Sequence, residues 1–309
     1  MLTTALVIAL LLQVTTSPAQ TPSNPPISII DGLAADPSGR VFNNKLYIYP
    51  SHDLGLPDWN MFDFHVYSSD DGVKFKDEGK IFSVEDLAWA KEKLWAPDCI
   101  ERSGTYYLYF AAANQIGVAT STSPTGPFKD AIGKPLIPAR AVAGITSIDP
   151  NVFIDTDQQA YLYFGNDRGK VAIVKLNPDM ISLAEEPRTL DLKNYHEGIW
   201  VHKRGDTYYF SYPSYVGRLT ANLLEYSTAP SPTGPFTYRG VLLDNQSRNV
   251  HGSIVDFKGK TWLIYHIADY TPYIRRTYMA ELQYNADGTI QPLGVIPRPA
   301  TATTQAAVP

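Results

Sequence analysis

The stretch "GLAADPSGRVFNNKLYIYPSHD", residues 32–53, contains two strand-like segments joined by a polar turn at Asn43 and Asn44. Its second segment is rich in aromatic and β-branched residues, which favour β-strands. A polar turn followed by such a strand occurs five times along the chain. The five copies are "NNKLYIYPS" from residue 43, "SGTYYLYFA" from 103, "DQQAYLYFG" from 157, "GDTYYFSYP" from 205 and "KGKTWLIYH" from 258. One structural unit is therefore repeated.

The spacing of the copies indicates what that unit is. Their equivalent aromatic residues are Tyr47, Tyr107, Tyr161, Tyr209 and Trp262. The separations of 60, 54, 48 and 53 residues suit a four-stranded propeller blade with its turns. A second phrase, "STSPTGPF" from residue 121 and "STAPSPTGPF" from 227, indicates that two blades use the same turn. The sequence therefore predicts an all-β, single-domain, five-bladed β-propeller over residues 27–297. An irregular β-sandwich does not explain five copies in register.

Composition and charge limit the class of partner. The chain has 309 residues, of which 44% are hydrophobic and 18% charged, so it can bury a full core. Its net charge of -5 gives no broad positive field, which argues against nucleic acid and favours a neutral partner such as a carbohydrate. No stretch reaches the roughly 18 apolar residues of a membrane span. Cys99 is the only cysteine, which excludes an internal disulfide and predicts a small buried hydrophobe.

The two ends of the sequence differ from the repeats. An apolar run, Ala5 to Leu12, is followed by the small-x-small pattern Ser17-Pro18-Ala19. This pattern predicts a secretory signal over residues 1–19 and a secreted or periplasmic protein. Residues 298–309 are rich in Ala, Thr and Pro and are expected to form a low-complexity tail or linker. The sequence does not indicate an oligomeric state.

The position of certain side chains within the repeat predicts a functional site. Each aromatic strand is preceded by another strand, and in a propeller the first strand of each blade lies nearest the axis. Eleven or twelve residues before the five aromatic anchors stand Asp36, Ala96, Asp149, Glu197 and His251, each followed by Pro or Gly. We expect these side chains to surround one axial pocket. Three converging carboxylates repel one another, which costs stability and favours a functional explanation.

The blade motifs resemble those of glycoside hydrolase family 43. The matching segments are "AADPSGRVF", "LWAPDCIERSGTYYLYF", "SIDPNVFIDTDQQAYLYFG", "HEGIWVHKRGDTYYFSY" and "NVHGSIVDFKGKTWLIYH". The resemblance implies an inverting hydrolase that acts on arabinose- and xylose-containing plant polysaccharides. It implies that Asp36 is the general base, Asp149 the carboxylate that tunes and orients the acid, and Glu197 the general acid. Ile199 stands where the family often has Pro, which affects a subsite wall.

Further roles follow from the same resemblance. His251 matches a histidine that helps to hold a calcium or sodium ion on the axis through water, although a hydrogen-bonded core histidine is the alternative. The hydrolysis needs no cofactor. Arg275 and Arg276 match an arginine that contacts sugar hydroxyls, and strand alternation allows only one of them, preferably Arg275, to face the pocket. Trp95 is expected to be a platform for sugar stacking or a packed core residue. Two alternatives, a position on the rim of the pocket or in an ordinary loop or hairpin, are left open for His52, Asp53, Trp59, Asp63 and His65.

The chemistry of inversion sets an expectation for the acid. One carboxylate must be ionised to accept a proton from water, while a second must be protonated for the leaving oxygen, with roughly 6.5–9.5 Å between them. We expect Asp149 to raise the pKa of Glu197 by charge repulsion.

The sequence leaves several functions open. The first is an exo-acting glycosidase that releases α-L-arabinofuranosyl or β-D-xylosyl units from hemicellulose. Alternatives are an endo-arabinanase or galactofuranosidase of the same family, a non-catalytic carbohydrate-binding propeller, and a retaining enzyme that acts on fructosides. The axial slots differ from blade to blade, whereas binding propellers repeat the same residues, so catalysis is favoured.

Overall fold

The computed structural model describes residues 28–215, 222–247, 249–269 and 271–296. The predicted signal segment and tail lie outside the described residues. The described chain forms strands and one short 3₁₀ helix, Val84–Asp86. None of its helices is long and apolar enough to cross a membrane.

Five sheets of antiparallel neighbours follow one another along the described chain. The first contains β1 (Ala35–Phe42), β2 (Lys45–Ser51), β3 (Asp63–Ser69) and β4 (Lys76–Ser83). The second contains β5 (Trp95–Arg102), β6 (Thr105–Ala112), β7 (Gln115–Ser121) and β8 (Lys129–Asp130). The third contains β9 (Asn151–Ile154), β10 (Ala160–Phe164), β11 (Lys170–Leu176) and β12 (Arg188–Asp191).

The last two sheets complete the set. The fourth contains β13 (Trp200–Arg204), β14 (Thr207–Pro213), β15 (Leu224–Ala229) and β16 (Thr237–Asp244), to which β20 (Gly294–Val295) adds in parallel. The fifth contains β17 (Gly252–Phe257), β18 (Lys260–Ala268) and β19 (Arg275–Leu282).

The first strands of the five sheets form a closed ring. β1 contacts β5 and β17, β9 contacts β5 and β13, and β13 contacts β17. The aromatic anchors lie on the second strands, and the two copies of the repeated turn phrase follow β7 and β15, the third strands of blades two and four. The predicted five-bladed β-propeller is therefore confirmed.

Blade five departs from the predicted four strands because its outer edge is covered by the segment that precedes β1. The Ile29 N–H donates to the Thr277 carbonyl at 3.0 Å, and the Ala34 N–H donates to the Arg275 carbonyl at 2.9 Å. The segment thereby ties the first blade to the last. It also brings Asp36, two residues beyond Ala34, close to Arg275.

The core lies between neighbouring blades, where their aromatic and aliphatic faces meet. Phe64 of blade one packs against Phe110 of blade two with ring centroids 6.2 Å apart. Cys99 is fully buried in the same cluster, as predicted. Burial of this apolar surface holds adjacent blades at fixed angles around the axis.

The inner strands begin with an irregular backbone. Asp36, Ala96 and Asp149 adopt left-handed conformations, with φ of 47°, 41° and 53°. Such conformations cost a non-glycine residue about 1–2 kcal/mol each. The β-ladder shifts register at the first two of these positions, between Ala35 and Ser38 and between Trp95 and Asp98. The same bend therefore turns the side chain toward the axis in blade after blade.

Candidate active site

The five inner strands begin around a small cavity on the propeller axis. Its volume is about 30 Å³, room for roughly one water molecule. The residues that line it include the Asp-Pro, Ala-Pro and His-Gly pairs of the predicted slots, namely Asp36, Pro37, Ala96, Pro97, Asp149, Pro150, His251 and Gly252. Glu197 does not line the cavity itself, but Gly198 and Ile199, which follow it, do, so the starts of all five inner strands meet here.

His251 joins the three predicted catalytic carboxyl groups. Its Nδ1 lies 3.4 Å from Oδ1 of Asp36. Its Nε2 lies 3.5 Å from Oε1 of Glu197 and 3.6 Å from Oδ2 of Asp149. All four residues are buried, although their numbers span more than two hundred positions. Three of the five blades thus place an acid against one imidazole supplied by a fourth.

The surroundings of Asp36 keep its carboxylate ionised. Arg275 Nη1 donates to Oδ1 at 2.7 Å, and the Ser51 hydroxyl donates to Oδ2 at 2.8 Å. Burial alone would raise the pKa of Asp36, but the positive charges of Arg275 and His251 hold it well below its usual value. An ionised carboxylate at neutral pH is what a general base needs.

Arg275 faces this site and Arg276 does not. Arg275 is 2% exposed and donates two hydrogen bonds to the Asp53 carboxylate, from Nε at 2.9 Å and from Nη2 at 2.7 Å. Arg276, the next residue of β19, points outward and donates to the Gly32 carbonyl at 3.0 Å. The alternation predicted for the strand decides between the two.

Glu197 accepts hydrogen bonds from two asparagines. Asn166 Nδ2 donates to Oε2 at 2.6 Å, and Asn249 Nδ2 donates to Oε1 at 2.9 Å. Burial acts to raise the pKa of Glu197, but the interaction with His251 outweighs it and leaves the pKa below its usual value. Amide donors also favour the charged form of a carboxyl group.

The pKa that is raised is that of Asp149, whereas the sequence predicted a raised pKa for Glu197. Burial, helped by the negative charges of Glu197 and Asp36, raises the pKa of Asp149 to about 7 against the opposing charge of His251. No hydrogen-bond donor to its carboxyl group is present among the described residues. The expected repulsion within the pair is therefore present, but it raises the pKa of Asp149, because His251 outweighs the corresponding effect on Glu197.

His251 is a cation at neutral pH. Burial acts to lower its pKa, but the charges of Asp36 and Asp149 and the contact with Glu197 raise it to about 9. Gly198 allows the close approach of the ring, because a Cβ at that position would lie 2.7 Å from it and φ is 57°. His266 is different: burial holds its pKa well below the usual value, and its Nδ1 accepts the Asp36 N–H at 2.9 Å.

Two tryptophans flank the charged cluster. The Trp95 indole N–H donates to the Trp59 carbonyl at 2.6 Å. The Trp59 ring covers the Arg275 guanidinium at 5.0 Å and meets Tyr273 at 4.7 Å between ring centroids. Trp95 is half-buried at the start of β5, beside Ala96. Its hydrogen bond to the Trp59 carbonyl holds its ring near the site.

Several side chains near the axis carry atoms that can serve as ligands of the expected calcium or sodium ion. Nε2 of His251 is a buried nitrogen that lacks a hydrogen-bond partner among the described residues. Asp149, Glu197 and His251 can each offer one ligand atom within 4.8 Å of the others. The donor set is therefore able to meet a cation or its bound water. A cation at this position would compete with the proton on His251 for the same negative charges.

A five-bladed propeller with three carboxyl groups around one histidine on its axis is typical of glycoside hydrolases that use carboxyl groups. The family model of glycosyl hydrolases family 43 matches residues 24–290. The chain therefore belongs to glycosyl hydrolase family 43.

Individual relatives agree with this assignment. The chain is 37% identical to a xylosidase/arabinosidase of Bacteroides ovatus, over 83% of this chain and 93% of that protein. A solved family 43 enzyme from Xanthomonas citri, complexed with xylose, is 34% identical with a TM-score of 0.77 over 87% of this chain and 93% of that chain. An α-L-arabinofuranosidase from Clostridium thermocellum is 37% identical with a TM-score of 0.74, over 84% and 92% of the two chains.

Replacement of Asp53 is expected to destabilise the protein. The Asp53→Ala variant leaves the buried guanidinium of Arg275 with Asp36 as its remaining carboxylate partner. Breaking a buried ion pair in this way typically costs about 3–5 kcal/mol. Urea unfolding of the variant should show that loss in the free energy of unfolding. The exposed Asp58, five residues later, provides the matched control, and Asp58→Ala should change the value by less than about 0.5 kcal/mol. Equal losses in both variants would contradict a role for the Asp53–Arg275 pair.

Stability should fall as the pH rises. The pKa of His251 is about 9 against an ordinary 6.5, so its contribution is complete below about pH 6.5 and is lost as the pH rises through 9. The pKa of Asp149 is also raised, to about 7, so the free energy of unfolding also decreases as this group loses its proton between about pH 4 and 7. For His251 the loss is on the order of 3 kcal/mol.

Thermal unfolding between pH 6 and pH 9 measures this effect. We expect Tm to decrease across the range in the wild type and to change much less in His251→Gln, which lacks the titrating group. A wild-type Tm that is constant or rises would show that His251 is not held as a cation.

Proposed function

We propose that the protein is an inverting, exo-acting glycosidase that releases α-L-arabinofuranosyl or β-D-xylosyl units from plant hemicellulose or its oligosaccharides. The observation that carries the proposal is the convergence of Asp36, Asp149 and Glu197 on His251, with each carboxyl group 3.4–3.6 Å from a ring nitrogen. Arg275 and His251 hold the pKa of Asp36 well below its usual value, and burial raises the pKa of Asp149 to about 7. The names of the relatives, a xylosidase/arabinosidase among them, support the choice of sugars.

The residues support a single displacement. Asp36 accepts a proton from water as the water oxygen bonds to the anomeric carbon. The bond from that carbon to the leaving oxygen breaks as the leaving oxygen takes a proton from the Glu197 carboxyl group, which has to be protonated in the complex with substrate. Asp36 and Glu197 contact different nitrogens of the His251 imidazole, and we expect the roughly 6.5–9.5 Å gap of inverting enzymes between them.

Other charged groups prepare this step without taking part in bond changes. Arg275 and His251 keep Asp36 ionised, and the two asparagines fix the Glu197 carboxyl group in place. We propose that Trp95 offers an aromatic face to the sugar. We propose that Arg275, whose guanidinium lies against Asp36, also meets sugar hydroxyls.

A calcium or sodium ion on the axis is a separate proposal. It would meet Nε2 of His251, directly or through water, and would supply positive charge to the surrounding carboxyl groups. No step of the proposed hydrolysis passes through it. Export of the protein to the periplasm or the medium is likewise proposed, from residues 1–19 alone.

The test is a proton NMR time course on p-nitrophenyl β-D-xyloside and α-L-arabinofuranoside, with chromatography of the products from arabinan. We expect free monosaccharide whose first anomer is inverted relative to the substrate. The Asp36→Asn protein, prepared in parallel, excludes a contaminating hydrolase, because loss of the base lowers the rate whatever the leaving group. Retention of configuration would overturn the mechanism, and an oligosaccharide ladder from arabinan without release from the small substrates would favour the endo-acting alternative.

The binding-only alternative has its own signature. It predicts equal, negligible hydrolysis by the wild type, Asp36→Ala and Glu197→Ala, with sugar binding retained in all three. The unequal environments of the three acids favour catalysis, because a binding site gains nothing from placing a proton on one buried carboxyl group and removing it from another.

A further inference from the structure

A second group of metal-ligating side chains lies on blade one, outside the axial site. Asp63 and His65 are two positions apart on β3, so both side chains lie on the same face of the sheet. His52 directly follows β2. Strands β2 and β3 are antiparallel, and Ile48 pairs with Tyr67. The same register, extended four residues forward from Ile48 and four residues back from Tyr67, sets His52 opposite Asp63. Strand pairing therefore brings the three residues together.

The distances between these side chains suit a metal ion. Each residue can offer one ligand atom, and the three atoms lie within 4.8 Å of one another. His52 Nδ1 and Oδ1 of Asp63 form a hydrogen bond of 2.5 Å, which a bound ion would replace, and the imidazole centroids of His52 and His65 are 5.1 Å apart. The side chains of His52, Asp63 and His65 are 34%, 27% and 25% exposed, so an ion can enter from solvent.

Two neighbours of His65 affect how it would bind. Its Nδ1 lies 3.2 Å from both carboxylate oxygens of Asp77, which leaves Nε2 as the ring nitrogen free to bind a metal. A carboxylate that holds one nitrogen of a ligand histidine orients the ring and strengthens the other nitrogen as a donor. Lys80, paired with His65 in the β3–β4 register, adds an opposing positive charge.

We infer that His52, Asp63 and His65 form a binding site for a divalent transition metal such as Zn²⁺, with water at the remaining position. Two imidazoles and one carboxylate form a ligand set that suits Zn²⁺, Co²⁺ and Ni²⁺. Calcium takes six to eight oxygen ligands, which this group does not supply. The site is distinct from the axial cluster, which contains one histidine and two acids.

The site is connected to the catalytic pocket through the backbone. Asp53 follows His52 directly and holds Arg275, which in turn contacts Asp36. An ion that ties His52 to β3 therefore fixes the chain where it enters the pocket. Because the ion binds the folded arrangement of the three ligands, we expect it to raise Tm.

Titration of the full chain with Co²⁺ tests the site, since Co²⁺ bound to imidazole absorbs visible light. We expect one such ion per chain in the wild type, displaced by Zn²⁺, and a Zn²⁺-dependent rise in Tm. The double variant His52→Gln/His65→Gln should bind at least about 10-fold more weakly. The matched control, Glu197→Gln, removes an acid from the axial cluster and should leave the Co²⁺ absorption unchanged. Removal of the opposing charge in Lys80→Gln should tighten binding.

The outcomes separate this site from the axial one. Equal Co²⁺ affinity in the wild type and the double histidine variant would overturn the inference, as would the absence of binding to the wild type. Loss of the absorption in Glu197→Gln, with retention in the double variant, would assign the metal to the axial cluster instead. Thermal unfolding in EDTA, with equal Tm for all variants, shows that differences in binding are not caused by misfolding.

Discussion

Asp36→Asn is expected to lower kcat on xylosides and arabinosides by at least about 10²-fold and by up to about 10⁴-fold. The amide has nearly the shape of the carboxylate, so it can still accept the hydrogen bonds of Ser51 or Arg275. It cannot take a proton from the attacking water, however, because its oxygen is far less basic than a carboxylate. Steady-state kinetics on p-nitrophenyl glycosides measure the loss.

A control is needed because Asp36 also neutralises a buried cation. Ser51→Ala removes one hydrogen bond to Asp36 but leaves the carboxylate and its pairing with Arg275. We expect this variant to lose less than about 10-fold in kcat, since one hydrogen bond contributes about 1 kcal/mol. Binding of xylose, followed by calorimetry, should persist in folded Asp36→Asn. Activity of Asp36→Asn within a few-fold of the wild type would remove Asp36 from the role of base.

The axial residues could be predicted from the sequence because the repeat itself places them. Asp36, Asp149, Glu197 and His251 occupy the same position in four of the five units, so a count from the aromatic anchors finds each one. Strand alternation predicted that only one of Arg275 and Arg276 faces the pocket, and the packing of β19 determines that it is Arg275. These predictions depend on periodicity, and the structure preserves that periodicity around the axis.

The partners of Glu197 could not be found in the same way. Asn166 follows β10 and Asn249 precedes β17, so they occupy unrelated positions in their units. Their amides meet Glu197 only because two loops end at the same side of the ring. These amides fix the Glu197 carboxyl group in place, while His251 lowers its pKa and burial raises the pKa of Asp149. A sequence pattern that counts carboxylates therefore predicts their meeting but not their protonation.

Glu197→Gln is expected to reduce hydrolysis by a factor that depends on the leaving group. For xylobiose, whose leaving oxygen belongs to a sugar alcohol, the loss should reach about 10²–10⁴-fold, because a poor leaving group needs the proton of the acid. For a dinitrophenyl xyloside the loss should be much smaller, since the phenolate departs without protonation. Parallel measurement of kcat/KM on the two substrates gives the ratio.

The ratio tests the identity of the acid more sharply than either rate alone. Asp149→Asn removes the neighbouring carboxyl group, which contacts the same His251 nitrogen as Glu197, and it should show the same dependence on leaving group in weaker form. Misfolding lowers kcat/KM equally on both substrates, and so does a general loss of sugar binding. An equal loss on xylobiose and on the dinitrophenyl xyloside in Glu197→Gln would therefore show that another group protonates the leaving oxygen, and Asp149, with its pKa of about 7, would be the residue to examine next.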